Sequence, residues 1–304
     1  MFDIATTEFA HVGIDVHDGS GKLRIAGLSS AQRHGSPTVI WLHANGFNAR
    51  TYLQTLEPVA SRLNVLAIDQ RGHGATPQNT SAGSKTDALD MRDDLLAALD
   101  VVCPKERVIL AGHSMGGCVS LLAAAEAPDR VRALALFDPV VLSRDAAQSA
   151  MAAGGAALSE NTLVAKARNR RARFASRQEA FEVYRQRSIF RGWPLRALKD
   201  YIEAGFRDLP DGGVQLTCAP EWEAANFAAH GHDIWAAMSR VEAPVWIYRA
   251  EQGSTCAITE ASEFPHPLGR AVVRTVPGST HFLPIEAPQV VREALLEIAE
   301  ATPA

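Results

Sequence analysis

The pattern of hydrophobic and polar positions predicts alternating strands and helices over most of the chain. Short segments that are mostly apolar predict strands over residues 38–42, 65–68, 108–111, 130–137, 244–249 and 271–276, and the continuous apolar run over 38–42 is typical of a strand covered on both faces. Apolar positions at helical spacing predict helices over 50–63, 88–102, 115–126 and 287–301. This order of elements is typical of an α/β protein with a mostly parallel sheet.

The N-terminal part of the chain follows a different pattern. Two runs in which apolar and polar residues loosely alternate, 9–16 and 22–28, flank the sequence Asp18-Gly19-Ser20-Gly21. Aspartate, glycine and serine favour tight turns, so we expect the two runs to pair as an antiparallel hairpin at the edge of the sheet.

The alternation of strands and helices stops between Ser143 and Arg240. Helix-forming segments rich in alanine, arginine and glutamate follow one another there, separated by stretches that contain glycine and proline. We therefore predict an α/β core formed by residues 1–142 and 241–304, with a helical insert formed by residues 143–240. A chain of 304 residues, 47% of them hydrophobic, is long enough for such an arrangement.

Charge and cysteine usage narrow the class of partner. A net charge of −4, with 21% charged residues, creates no strong field that favours nucleic acid or an anionic membrane, so a small molecule is the expected partner. No apolar stretch approaches the length of a membrane span, and the N-terminus lacks the features of a secretory signal. The four cysteines show no C-x-x-C spacing, and we expect reduced core thiols in a cytoplasmic protein. The sequence does not indicate an oligomeric state.

The strongest candidate chemistry lies in the sequence Gly112-His113-Ser114-Met115-Gly116. An apolar run leads into it and an Ala/Leu-rich helical segment follows, which predicts a sharp strand-to-helix turn. The two glycines allow strand and helix to approach closely, and the serine hydroxyl lies at a helix N-terminus, where negative charge is favoured. Ser114 is therefore a candidate nucleophile.

Three further stretches accompany the Ser114 motif. They are His43-Ala44-Asn45-Gly46-Phe47, Asp69-Gln70-Arg71-Gly72-His73-Gly74 and Gly278-Ser279-Thr280-His281-Phe282, each placed after a predicted strand. Together the four stretches resemble the α/β-hydrolase family over essentially the whole chain outside the insert. The resemblance implies an eight-stranded, mostly parallel sheet flanked by helices, with the insert as a helical cap over the active site. It implies neither a cofactor nor a metal.

The resemblance also implies roles for individual residues. His281 is the expected base that takes the proton of Ser114, and the backbone N–H groups of Asn45 and Met115 are the expected oxyanion hole. Residues 69–74 are expected to stabilise their own loop and not to react. The side chains expected to contact the substrate are His43, Phe47, His113 and Phe282.

The acid that would orient His281 has two candidates. In most of the family it follows the strand after the cap, but here Ser254 occupies that position by register. Two carboxylates remain, namely Glu251 just upstream and Asp138 at the end of the strand before the insert. Some members of the family take their acid from that earlier strand, so Asp138 is favoured over Glu251.

Two charged clusters in the insert have both a structural and a functional interpretation. The sequence His230-Gly231-His232-Asp233 suggests metal ligands, but no second cluster supplies the missing ones, so no metal site is expected. A basic run predicts either a solvated helix face, which is favoured, or a clamp for an anionic substrate group. The run consists of Lys166, Arg168, Arg170, Arg171, Arg173 and Arg177.

The expected reaction is two-step acyl transfer from a carboxylic ester, thioester or lactone, with Ser114 as nucleophile and His281 as base. A serine at this position argues against epoxide hydrolase and haloalkane dehalogenase chemistry, since both need a carboxylate nucleophile. Three alternatives stay open at this point. They are hydrolysis of a carbon–carbon bond, cofactor-free oxygenation or perhydrolysis, and a small-molecule receptor without turnover.

Overall fold

The computed structural model describes residues 9–18, 21–78, 88–152, 162–229 and 232–302. Some of the sequence-based expectations concern residues outside these ranges, namely those for the N-terminus, for the turn at Gly19 and Ser20, and for His230 with Gly231. Each helix in the described ranges is too short or too polar to span a lipid bilayer.

The described residues form eleven strands, eight of which build one central sheet. The strands are β1 (Ala10–Asp18), β2 (Gly21–Ser29), β3 (Thr38–Leu42), β4 (Asn64–Ile68), β5 (Val108–His113), β6 (Val131–Phe137), β7 (Arg173–Phe174), β8 (Phe206–Asp208), β9 (Val214–Leu216), β10 (Val245–Gln252) and β11 (Ala271–Thr280). The central sheet has the order β1-β2-β4-β3-β5-β6-β10-β11. β1 and β2 pair in antiparallel fashion at one edge, and β2 is also antiparallel to β4. The other six strands of this sheet are parallel to one another, namely β3, β4, β5, β6, β10 and β11. The predicted fold class is confirmed.

The four inner strands β3, β4, β5 and β6 are almost wholly buried and mostly apolar because both faces of the sheet are covered there. Along β3, Val39 and Trp41 pack into one hydrophobic cluster, while Ile40 and Leu42 pack into the cluster on the opposite face. Successive side chains of a strand point to opposite faces, so a strand buried on both sides needs an unbroken apolar run.

Helices cover both faces of the sheet. The described helices are α1 (Leu53–Leu56), α2 (Ala88–Val102), α3 (Met115–Glu126), α4 (Arg144–Ala152), α5 (Thr162–Arg168), α6 (Arg177–Arg185), α7 (Leu195–Gly205), α8 (Pro220–Ala228), α9 (Ile234–Met238), α10 (Leu283–Glu286) and α11 (Pro288–Ala301). α2 and α3 pack on one face, and α1 and α11 pack on the other. The core is therefore a three-layer arrangement, with the sheet between two helical layers.

The prediction of a single helix over residues 50–63 is wrong. The segment forms the 3₁₀ helix Ala49–Tyr52, the one-turn helix α1 and the 3₁₀ helix Glu57–Ser61. Pro58 lies in the first turn of the last piece, where its missing N–H is tolerated, whereas it would interrupt a continuous α-helix.

The insert differs from the expectation of helices alone. Besides α4 to α9, it contains a small antiparallel sheet in the order β7-β9-β8, in which Arg173 pairs with Gln215 and Phe206 with Leu216. Strands of two and three residues are too short to show an alternating pattern, which is why no pattern along the chain predicts them. The four cysteines of the chain are buried and free, as expected.

Candidate active site

Ser114 lies in a strained turn between β5 and α3. Its φ is 55° and its ψ is −117°, a conformation that residues other than glycine rarely adopt. A Cβ on Gly116 would lie 2.3 Å from the carbonyl oxygen of Leu42, so only glycine allows the helix to approach the neighbouring strand this closely. The turn places the hydroxyl of Ser114 at the carboxyl edge of the sheet.

Three side chains from three strand ends meet at this edge. His281 Nε2 lies 3.0 Å from Ser114 Oγ, and His281 Nδ1 lies 2.6 Å from Asp138 Oδ2. Ser114 follows β5, Asp138 follows β6 and His281 follows β11. The carboxyl ends of parallel strands share one edge of the sheet, which is why these distant positions converge.

The carboxylate of Asp138 is buried and held by several donors. It accepts hydrogen bonds from the N–H of Ala250 at 2.8 Å, from Ser254 Oγ at 2.5 Å and from the N–H of Thr255 at 3.0 Å. Burial by itself would raise the pKa of Asp138, but the hydrogen bonds from His281, Ser254 and Ala250 outweigh it and lower the pKa to about 2. The group is therefore ionised at neutral pH.

The second candidate acid makes a different contact. Glu251 is exposed, and its carboxylate accepts a hydrogen bond from the N–H of Gly278 at 2.9 Å. The structure thus brings Asp138, and not Glu251, to the imidazole of His281. Ser254, which occupies the register position of the usual aspartate, holds the Asp138 carboxylate in place.

Two backbone N–H groups belong to residues that line the same cavity as Ser114. Asn45 follows β3 and Met115 opens α3, and both residues line the cavity that contains the serine hydroxyl. Within the described residues, neither N–H donates to a protein acceptor. The dipole of α3 adds positive potential at Met115, so an oxygen that gains negative charge near Ser114 would be stabilised there.

His43 and His113 do not face the cavity, which corrects the expectation that they contact substrate. His43 Nε2 accepts from the N–H of Gln70 at 2.9 Å, and its Nδ1 donates to the carbonyl oxygen of Ala44 at 2.8 Å. His113 Nε2 donates to the carbonyl oxygen of His281 at 2.6 Å. Burial, followed by neighbouring histidines, lowers the pKa of both rings, that of His113 to about 3, so both are neutral.

A buried tyrosine that the sequence analysis did not single out connects the loop after β3 to the loop that contains His281. The N–H of Ala44 donates to Tyr52 Oη at 3.2 Å, and the Tyr52 hydroxyl donates to His113 Nδ1 at 2.8 Å. His113 then donates to the backbone of His281. This chain of hydrogen bonds fixes the two loops relative to each other, and no motif in the sequence marks Tyr52 for that role.

The polar residues of the 69–74 stretch hold their loop, as expected. Asp69 accepts from the N–H groups of Ala49 and Ala75 at 2.8 and 2.9 Å, and burial raises its pKa to about 6. The guanidinium of Arg71 forms two hydrogen bonds with the Asp94 carboxylate, at 2.8 and 2.5 Å. These contacts are structural, and none of them reaches Ser114.

The insert contacts the loop after β3 through the residues of a buried ion-pair cluster. Arg170 donates to Glu223 at 2.7 Å and also contacts the hydroxyl of Tyr201. The backbone carbonyl of Glu223 accepts from Asn45 Nδ2 at 2.9 Å, and Tyr201 Oη donates to the carbonyl oxygen of Gly46 at 3.3 Å. Arg170 is therefore neither a solvated charge nor an anion clamp, and this corrects both interpretations of the basic run at that position.

A cavity of about 500 Å³ lies over Ser114, between the core and the insert. Phe47 and Phe282 line it as expected, with nearly parallel rings whose centroids are 6.0 Å apart. Among the described residues, the wall contains no lysine or arginine. Other wall residues from the core include Met115, Val140 and Thr255, and those from the insert include Leu163, Ile189, Asn226 and Phe227.

The described residues contain no group of three or more side chains arranged to hold a metal ion. His232 lines the cavity, whereas its sequence neighbour His230 lies outside the described residues. The prediction that no metal binds here stays a prediction.

The chain is similar to known proteins in both sequence and structure. A family model described as "Alpha/beta hydrolase family" matches residues 39–294. A 2-(acetamidomethylene)succinate hydrolase from Mesorhizobium japonicum is 25% identical over 306 aligned residues, which cover 98% of each protein. The crystal structure of an E-2-(acetamidomethylene)succinate hydrolase has a TM-score of 0.71 at 22% identity, covering 96% of this chain and 100% of that chain. A thermophilic esterase from Thermogutta terrifontis has a TM-score of 0.65 at 17% identity, with coverages of 97% and 100%.

Proposed function

Because the chain belongs to the alpha/beta hydrolase family, we propose that it is a serine hydrolase that cleaves a carboxylic ester, thioester or lactone of a small molecule. One observation carries the proposal: His281 lies within hydrogen-bonding distance of both Ser114 Oγ and the Asp138 carboxylate. A hydroxyl, an imidazole and a buried carboxylate in this order are the groups that acyl transfer requires. The proposed chemistry requires no cofactor.

In the first half of the reaction, His281 Nε2 takes the proton of Ser114 as Oγ attacks the carbonyl carbon. Asp138 accepts a hydrogen bond from His281 Nδ1–H, which fixes the tautomer and stabilises the imidazolium that forms. The low pKa of Asp138 keeps this carboxylate charged throughout. The carbonyl oxygen moves between the N–H groups of Asn45 and Met115, each of which contributes roughly 3 kcal/mol to transition-state stabilisation.

The first half ends when the imidazolium of His281 donates its proton to the leaving oxygen or sulfur, and the departure of that group forms the acyl-enzyme. In the second half, the neutral imidazole takes a proton from water as the water oxygen attacks the acyl carbon. The imidazolium then returns this proton to Ser114 Oγ as the acid is released. The same N–H groups stabilise both tetrahedral intermediates.

The cavity favours an uncharged substrate. The similar hydrolase from Mesorhizobium japonicum is named for a succinate derivative, which carries two carboxylates. In this chain the described wall offers no lysine or arginine to pair with them, and the one carboxylate on the wall, Glu223, is already paired with Arg170. Placing an unpaired carboxylate in such a cavity is unfavourable, so we propose neutral, largely apolar acyl groups.

A serine-reactive fluorophosphonate tests the proposal. We expect rapid labelling of the wild-type chain at Ser114, found by peptide mass spectrometry, and no labelling at this site in Ser114→Ala. Ser143→Ala is the matched control and should label like the wild type, since Ser143 also lines the cavity but its hydroxyl accepts a hydrogen bond from the N–H of Ala146 at 3.3 Å. An inert Ser114 in the folded wild-type chain would contradict acyl transfer and favour the receptor or the cofactor-free oxygenase.

A further inference from the structure

We propose that Cys118 is a covalent binding site for small α,β-unsaturated carbonyl compounds, with His232 as the group that takes the proton of its thiol. The inference goes beyond the proposed hydrolase function, because it requires neither the Ser114 hydroxyl nor an acyl-enzyme.

The geometry pairs a thiol with an imidazole on the wall of the cavity. Cys118 Sγ lies 3.3 Å from His232 Nε2, and both residues line the cavity that contains Ser114. Cys118 lies one helical turn after Ser114, and its N–H donates to the serine carbonyl oxygen at 3.1 Å. An adjacent imidazole promotes thiolate formation, and the thiolate is the reactive form of cysteine.

A second cysteine on the same wall lacks these features. Cys256 also lines the cavity, but its thiol donates to the carbonyl oxygen of Ile258 at 3.7 Å, and burial raises its pKa to about 11. Cys103 and Cys218 are not part of the described wall, and burial raises the pKa of both thiols. Of the four cysteines, Cys118 alone combines access from the cavity with an imidazole partner within the described residues.

The covalent step is a conjugate addition in which all atoms are retained. The proton of the Cys118 thiol passes to His232 Nε2, and the sulfur forms a bond to the β-carbon of the ligand. The electrons of the C=C double bond move towards the carbonyl oxygen, and the α-carbon then takes the proton back from the imidazolium. No group leaves and nothing is oxidised or reduced. The adduct occupies the space next to Ser114, so substrate is excluded.

N-Ethylmaleimide, a small α,β-unsaturated carbonyl compound, tests the inference on the full chain. Peptide mass spectrometry at pH 7 is expected to show labelling of Cys118 at least about tenfold faster than labelling of Cys256. In His232→Gln, labelling of Cys118 should slow about tenfold at pH 7 but approach the wild-type rate at pH 9, where hydroxide can take the proton of the thiol in place of His232. A merely structural role of His232 would not produce this pH dependence.

The controls separate this inference from the proposed function. Ser114→Ala should still be labelled at Cys118, so loss of esterase activity and loss of labelling are independent outcomes. Each variant is compared with its own untreated sample, and both Cys118→Ala and Cys118→Ser should resist inactivation by the maleimide. Equal labelling rates at Cys118 and Cys256, or an unchanged rate in His232→Gln at pH 7, would overturn the inference.

Discussion

The two strained residues of the described chain are both in the candidate active site. Ser114 and Asp138 are its non-glycine residues with positive φ, at 55° and 43°. Such conformations are unfavourable and persist only where the surroundings fix them. Here the N–H of Ser114 donates to the Phe137 carbonyl at 3.1 Å, and the Ser114 carbonyl accepts from Val140 at 3.2 Å. The strained backbone of both residues therefore occurs where the Ser114 hydroxyl and the Asp138 carboxylate are placed on either side of His281.

The identity of the acid gives the first prediction. Asp138→Asn should lower kcat for p-nitrophenyl acetate by roughly 10³ to 10⁴-fold, because an amide cannot hold the imidazole in the required tautomer or stabilise its charged form. Glu251→Gln is the matched control and should change kcat by no more than about twofold, since this exposed side chain contacts Gly278. The reverse ranking of the two variants would move the acid to Glu251.

The low pKa of Asp138 gives a second prediction, for stability against pH. The pKa falls from its ordinary value of 3.8 to about 2 on folding, so the ionised group stabilises the fold above about pH 4, and this stability is lost as the pH falls towards 2. Urea unfolding between pH 5 and pH 2 should show a free energy of unfolding that drops by about 2 kcal/mol more in the wild type than in Asp138→Asn. Parallel curves for the two proteins would contradict this prediction.

At the residue scale, the sequence predicted the candidate nucleophile and the candidate base, but for the acid it left two carboxylates open. Ser114 and His281 lie in local motifs whose spacing is visible along the chain. The choice of Asp138 depends on how the loop after β10 meets the end of β6, where Ser254 and Thr255 donate to the carboxylate. Likewise, His43 and His113 are adjacent to the motifs in sequence, but the fold turns both rings away from the cavity.

At the scale of elements, the turn from β5 to α3 depends on glycine, which gives a third prediction. Gly116→Ala should lower the free energy of unfolding by about 3 kcal/mol, because its Cβ would lie 2.3 and 2.7 Å from the backbone oxygens of Leu42 and His43. Gly13→Ala is the matched control, with a change within about 0.5 kcal/mol, since its Cβ meets only the movable end of the exposed Arg24 side chain. Urea unfolding measures both, and similar losses in the two variants would argue against the close approach.

The insert provides a fourth prediction, on the basic run. Arg170→Met should cost about 3 kcal/mol of stability, because it leaves the carboxylate of Glu223 buried without its partner, where both side chains of the pair are at most 12% exposed. Arg173→Met removes a pair with Asp211 in which both side chains are more than 60% exposed, so its effect should be below about 1 kcal/mol. Denaturant unfolding compares the two variants, and equal effects would show that the Arg170 pair is not buried in solution.

The core elements could be predicted from sequence and the insert only in part, for a physical reason. Strands such as β3 and β5 are covered on both faces, so burial demands unbroken apolar runs that stand out in the sequence. The insert instead combines short helices with β7, β8 and β9, whose pairing brings together residues far apart in sequence. The spacing of apolar residues along the chain does not predict that pairing, and it does not predict the contact between Arg170 and Glu223 either.

At the scale of the whole molecule, the cavity exists because two parts of the chain converge on one loop. The core supports the loop of Asn45 through Tyr52 and His113, and the insert supports it through Glu223 and Tyr201. A donor aimed at the developing oxyanion must be held rigidly to stabilise it. The insert therefore shapes the substrate space and also fixes part of the groups proposed for catalysis.

The chemistry of the cavity wall gives the last prediction, on substrate choice. For p-nitrophenyl esters from acetate to hexanoate, kcat/KM should rise about threefold to fourfold per methylene, because each buried methylene contributes about 0.8 kcal/mol. The monoester of adipic acid, which ends in a carboxylate, should react at least about tenfold more slowly than the hexanoate, since the described wall offers no cation. Ile189 lines the cavity and is 52% exposed, so Ile189→Arg should reduce this difference, whereas Ile189→Gln should not. Equal rates for the adipate and hexanoate esters in the wild type would contradict the proposed preference for uncharged acyl groups.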